Sequence, residues 1–133
     1  MKRKPAAYFS FRSPYSWLAF ERLERLAPDR LRQLELIPYW DPDTDMMQAL
    51  RERGASVHYV PMSKAKHLYL LQDAKRLSRR LGLEMAWPID VQPWWEVPHL
   101  AWLQAQRHGR ERELYRAVIN ARWQRGEDVC VPE

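Results

Sequence analysis

Ser13-Pro14 separates a short aromatic run from an amphipathic one, and this junction constrains the chain more than any other pair of its residues. Upstream, Ala6 to Phe11 (AAYFSF), flanked by Pro5, reads as a strand. Downstream, Ser13 is a good helix N-cap and Pro14 suits the first helical position, where a missing N–H costs nothing. Ser16, Ala19, Phe20, Leu23, Leu26 and Ala27 then recur at helical spacing, which predicts a stripe packed on a sheet. Leu34 to Trp40 (LELIPYW) reads as a second strand closed by Asp41-Pro42, with Pro38 placing its end at an edge or a bulge. The opening is therefore β-α-β, and a right-handed crossover makes its two strands parallel.

Beyond Asp41 the pattern stays helical. Residues 44 to 53 form a short helix, 55 to 62 a loop, and Ser63 caps a long helix from Lys64 to Leu81. A connector rich in proline and tryptophan runs from Trp87 to Pro98, followed by helices at about 97 to 108 and 110 to 125. Each of the four glycines follows a helical segment, so none is left for a phosphate-cradling loop, and nucleotide-binding fingerprints are absent. No repeat and no linker divides off a second independent domain. The length of 133 residues and the 46% hydrophobic content suit one globular domain.

Cys130 is the only cysteine, which excludes an intramolecular disulfide, a C-x-x-C redox pair and a cysteine-rich zinc cage. It sits in an acidic, proline-containing tail with no basic partner and reads as an incidental thiol. His58, His67, His99 and His108 make no recognisable ligand spacing, so no metal site is expected. With no apolar run of membrane-spanning length and no signal-peptide core after the basic start, the expectation is a cytoplasmic protein without a membrane partner.

The formal net charge is +5. Residues 63 to 81 carry Lys64, Lys66, Lys75, Arg76, Arg79 and Arg80 against Asp73 alone, a local excess equal to that of the whole chain. Positive charge late in a helix complements its dipole, so a solvated face is the simplest reading, with attraction of an anionic ligand as the alternative and nucleic acid a weaker third.

The chemistry concentrates at Phe11-Arg12-Ser13-Pro14-Tyr15-Ser16. A hydroxyl there stands at a strand end and a helix N-terminus, where free N–H groups and the helix dipole favour an anion. Ser13 is either an N-cap alone or a donor that stabilises a bound thiolate.

The stretch Tyr8 to Ala19 resembles the amino-terminal signature of 2-hydroxychromene-2-carboxylate isomerases and kappa-class glutathione transferases, relatives of DsbA within the thioredoxin-like fold. Ser13-Pro14-Tyr15-Ser16 stands in the place of the redox C-x-x-C, and Ser13 matches the serine that contacts the glutathione sulfur. Lys66, Tyr69 and Asp73 reproduce a K-x-x-Y-x-x-x-D pattern of the family's helical region, falling within about 60° on a helix beside Leu70, Ala74, Leu77 and Leu81. Asn120-Ala121-Arg122-Trp123 and Gly126-Glu127-Asp128-Val129 resemble its N-A-x-W segment and the acidic turn that follows.

The resemblance implies an α/β thioredoxin-like (DsbA-like) fold. Residues 1–41 form the N-terminal β-α-β half, 42–126 an inserted helical block, and 127–133 a tail leading towards a C-terminal thioredoxin half that the sequence does not include. It implies a glutathione-dependent isomerase acting on an aromatic or unsaturated carbonyl substrate. Ser13 is then catalytic, Ser13, Pro14 and Tyr15 bind glutathione, and Lys66, Tyr69, Asp73 and Trp123 bind substrate. Lys66, Tyr69 and Asp73 also read as surface-pair or amphipathic residues, and Trp123 as a helical lid. Trp40, Trp87, Trp94, Trp95 and Trp102 read as core, or as an aromatic wall for a flat substrate. Two departures weaken the glutathione expectation. The family's closing cis-proline segment and last strands are missing, and Gly54-Ala55-Ser56-Val57-His58-Tyr59 replaces its G-N-x-P-P stretch. The alternatives are a kappa-like glutathione transferase and a non-catalytic module that associates, as a homodimer or with another chain, through its open sheet edge.

Overall fold

The computed structural model describes residues 3–58 and 61–132. Met1, Lys2 and Glu133, and Tyr59 and Val60 of the expected 55–62 loop, lie outside the described residues. The elements are β1 (Ala6–Phe9), α1 (Pro14–Leu26), α2 (Pro28–Gln33), β2 (Glu35–Pro38), α3 (Thr44–Glu52), α4 (Lys64–Arg80), α5 (Glu96–Arg107) and α6 (Glu111–Ile119). A π-helical turn, Asn120–Gln124, continues α6. β1 and β2 pair in parallel, Ala6 opposite Glu35 through Phe9 opposite Pro38, as the crossover rule requires.

Several boundaries and faces differ from the sequence expectation. Both strands are shorter than their apolar runs. β1 stops at Phe9 because Ser13 N–H turns back to Ser10 O at 3.2 Å, and β2 stops at Pro38, which has no N–H to continue the ladder. The chain between the strands also holds α2, started by Pro28. On α1 the buried residues are Pro14, Trp17, Leu18 and Phe20, whereas Ala19 is exposed and Leu26 is 72% exposed. The expected stripe is rotated because Trp17 faces a tryptophan of the helical block rather than solvent, its ring lying parallel to Trp123 at 6.0 Å. The last helix does not remain α-helical to residue 125. The π turn adds one residue to its path, and as a result the adjacent Arg122 and Trp123 are both buried.

A single core joins the β-α-β unit to the later helices. Phe9 makes edge contacts with Phe11, Trp102 and Tyr115 at 5.1 to 5.7 Å, so α5 and α6 cover the face of the sheet that carries it. Fully burying rings of this size contributes up to about 4 to 6 kcal/mol each before entropy is deducted.

His99 lies in this core, 0% exposed. Phe11 N–H donates to its Nε2 at 3.1 Å. Its Nδ1 is 2.7 Å from Trp95 O, and because a carbonyl only accepts, Nδ1 carries the proton. Trp40 stacks on the ring at 5.0 Å. Protonating Nε2 would set two donors against each other, and burial pushes the pKa down to about 4. With an unfolded value near 6.5, the stabilisation from neutral His99 is full above about pH 6.5 and is lost as pH falls towards 4. Denaturation midpoints measured from pH 7.5 to 5 are expected to report a loss of about 2 kcal/mol, and His99→Gln, less stable at pH 7.5, to flatten that slope.

Candidate functional site

The end of β1, the start of α1, the residues after β2 and the π turn converge on one cleft of about 480 Å³. Ser13, Pro14 and Tyr15 form one wall, Tyr39, Trp40 and Asp41 a second, Trp87, Asp90, Arg122 and Trp123 a third. His67 and Leu70 of α4 complete it. A volume of this size is ordinary for a small-molecule site.

Ser13 caps α1 as expected, its Oγ accepting from Ser16 N–H at 3.3 Å. That bond uses a lone pair and leaves the hydroxyl hydrogen available, so capping and donation to a bound anion are compatible. Ser16 acts in the same turn, its Oγ accepting from Ser10 N–H at 3.2 Å. The turn is held on both sides of the motif, through Ser10 by Ser16 and through Phe11 by His99.

Tyr15 links this turn to α4. Its hydroxyl donates to Asp73 Oδ2 at 2.7 Å, and Arg76 donates to Asp73 Oδ1 at 2.6 Å. Burial and the neighbouring carboxylate push the Tyr15 phenol up to about 12, while the same two donors lower the Asp73 carboxyl. Asp73 thus acts on Tyr15. Lys66 and Tyr69, expected beside it, are exposed and do not line the cleft; Tyr69 is 68% exposed. α4 instead presents His67, one residue from Lys66, because its inward face is set by Leu70, Ala74 and Leu77.

Arg122 occupies the x position of the N-A-x-W segment, where the motif pattern assigns it no role. It is 2% exposed and forks onto Asp90 at 2.7 and 2.9 Å. Its guanidinium carbon lies 4.6 Å from the ring centroids of both Trp95 and Trp123, and Trp87 meets Trp123 edge-on. A buried, paired arginine therefore fixes the aromatic wall. Of the five tryptophans offered as core or wall, Trp95 and Trp102 are buried, Trp40 and Trp87 line the cleft, and Trp94 is half exposed. Cys130 is buried, and burial with nearby Asp128 pushes its thiol up to about 12, far from a reactive thiolate.

The family described as the DSBA-like thioredoxin domain matches residues 6–131. The chain belongs to the DsbA-like thioredoxin domain family. In this DsbA-like chain the motif at the head of α1 carries Ser13 and Ser16 in place of cysteines, and its cleft is walled by the helices after β2. A solved structure of a selenomethionine 2-hydroxychromene-2-carboxylate isomerase shares the fold, with a TM-score of 0.63 and 23% identity. The match covers 95% of this chain and 59% of that one. No curated protein matches the sequence. Among the described residues, no helix is long and apolar enough to cross a membrane.

Two substitutions test the walls of the cleft. Arg122→Met is expected to cost about 2 to 3 kcal/mol in denaturant titration by leaving Asp90 unpaired, with part recovered in the Arg122→Met/Asp90→Asn double variant. Tyr15→Phe and Asp73→Asn are expected to be less than additive in the same measurement, the double variant scarcely differing from the worse single one.

Proposed function

We propose that this chain forms the thiolate-binding and substrate-facing part of a glutathione-dependent isomerase of the 2-hydroxychromene-2-carboxylate isomerase type. The observation that carries the proposal is that Ser13, with a hydroxyl hydrogen free to donate, lines the same cleft as Trp40, Trp87 and Trp123. The donor set suits a thiolate, since a neutral hydroxyl at a helix N-terminus stabilises an anion without competing as a nucleophile.

Glutathione would supply a thiolate that forms a C–S bond to a conjugated carbon, sends the π pair to the carbonyl oxygen, and leaves again after rotation about the resulting single bond. Ser13 donates to the sulfur. Tyr15, held by Asp73, keeps the first turn of α1 in place. Trp123 and Trp87, set by Arg122, offer ring faces to a flat unsaturated carbonyl compound. Glutathione conjugation begins with the same donor and is the second reading, distinguished by stoichiometric loss of thiol where isomerisation consumes none.

Glutathione is expected to raise the melting temperature of the chain in proportion to the logarithm of its concentration above Kd. Ser13→Asp keeps the cap but places a carboxylate where the sulfur would lie, and is expected to abolish the shift, whereas Ser13→Thr retains it. No shift in the parent chain, or an undiminished shift in Ser13→Asp, overturns the proposal.

A further inference from the structure

A second groove, of about 510 Å³, runs between α1 and α4 and takes no part in the function proposed above. Leu18 and Ala19 of α1 and Leu77 and Leu81 of the α4 end form its apolar floor, and Arg22 and Arg80 stand on it, one from each helix. Its ends are closed by two ties between the helices. Tyr15 donates to Asp73 at one end, and Arg25 Nη1 donates to Leu81 O at the other. At 1.5 Å per residue, the span between these ties is about 12 Å along α4 and about 15 Å along α1.

The charge on this groove has one sign. No carboxylate lines it, and among the described residues neither Arg22 nor Arg80 is ion-paired or hydrogen-bonded through its side chain. Other arginines nearby are engaged, Arg76 with Asp73 and Arg25 with Leu81 O. The positive excess of residues 63 to 81 thus reaches an apolar floor through Arg80, joined by Arg22 from the facing helix.

We propose that the groove between α1 and α4 binds a small amphiphilic carboxylate, its apolar body on Leu18, Ala19, Leu77 and Leu81 and its carboxylate on Arg22 and Arg80. The guanidinium fork matches a planar carboxylate, and the apolar floor rewards a tail that acetate lacks. Tyr15 lines both this groove and the Ser13 cleft, so an occupant reaches the wall of the first site without entering it.

Titration of the intact chain with octanoate, followed by amide NMR, tests this without glutathione or any assay of activity. Saturable shifts on residues 15–25 and 76–82 are expected, with affinity reduced roughly three- to ten-fold in Arg22→Gln and in Arg80→Gln. Both arginines are exposed, and an otherwise unchanged spectrum verifies that each variant folds. Acetate is expected to bind at least about ten-fold more weakly, and octyltrimethylammonium not to compete. Failure to saturate by about 5 mM, equal binding of the cationic amphiphile, shifts confined to the Ser13 cleft, or indifference to both arginine substitutions overturns the proposal.

Discussion

The bond from Phe11 N–H to His99 Nε2 is the constraint on which the site rests. Phe11 lies beyond the last residue of β1, where the ladder no longer supplies a partner and an unsatisfied buried N–H would be costly. A neutral imidazole from α5 accepts that hydrogen, and Trp95 O fixes which nitrogen is free to do so. Two residues later the chain reaches Ser13. The helix N-terminus is therefore aimed by a side chain of the helical block, and the β-α-β unit and the later helices cannot be treated as separable parts.

The tryptophans follow the same logic. Trp123 is parallel to Trp17 on one side and carries the Arg122 guanidinium near its ring on another. An arginine in this position is affordable because Asp90 accepts two of its hydrogens and the flat guanidinium, weakly hydrated, loses little by leaving water for an aromatic face. The wall of the cleft is consequently stiff, built from ring planes and a paired ion instead of adaptable aliphatic chains.

Local chemistry explains which features are legible in the sequence. The Ser13 cap, Pro14 at the first helical position, the parallel crossover and the Ser63 cap depend on residues close together in the chain, and all four are present in the fold. The serine motif placed the site at the head of α1 for the same reason. His99 and Arg122 were illegible because their partners lie 88 and 32 residues away. Spacing rules applied to histidine ask about metals and say nothing of a backbone N–H. The helical pattern put Lys66 and Tyr69 with Asp73, yet neighbours within 60° on a helix can straddle the boundary between buried and exposed faces. That boundary is set by what packs against α4, which no local pattern contains.

The π turn at Asn120–Gln124 has a consequence for how this segment can change over generations. Side chains in it are individually replaceable in principle, but the extra residue is what turns Arg122 and Trp123 inward together. Loss of one residue here would restore a regular helix and rotate everything beyond it by about 100°. Gly126, at φ +69° with a Cβ position only 3.3 Å from Ala86 Cβ, would be carried away from the one backbone geometry it serves. Length, more than identity, is what descent must conserve along this stretch.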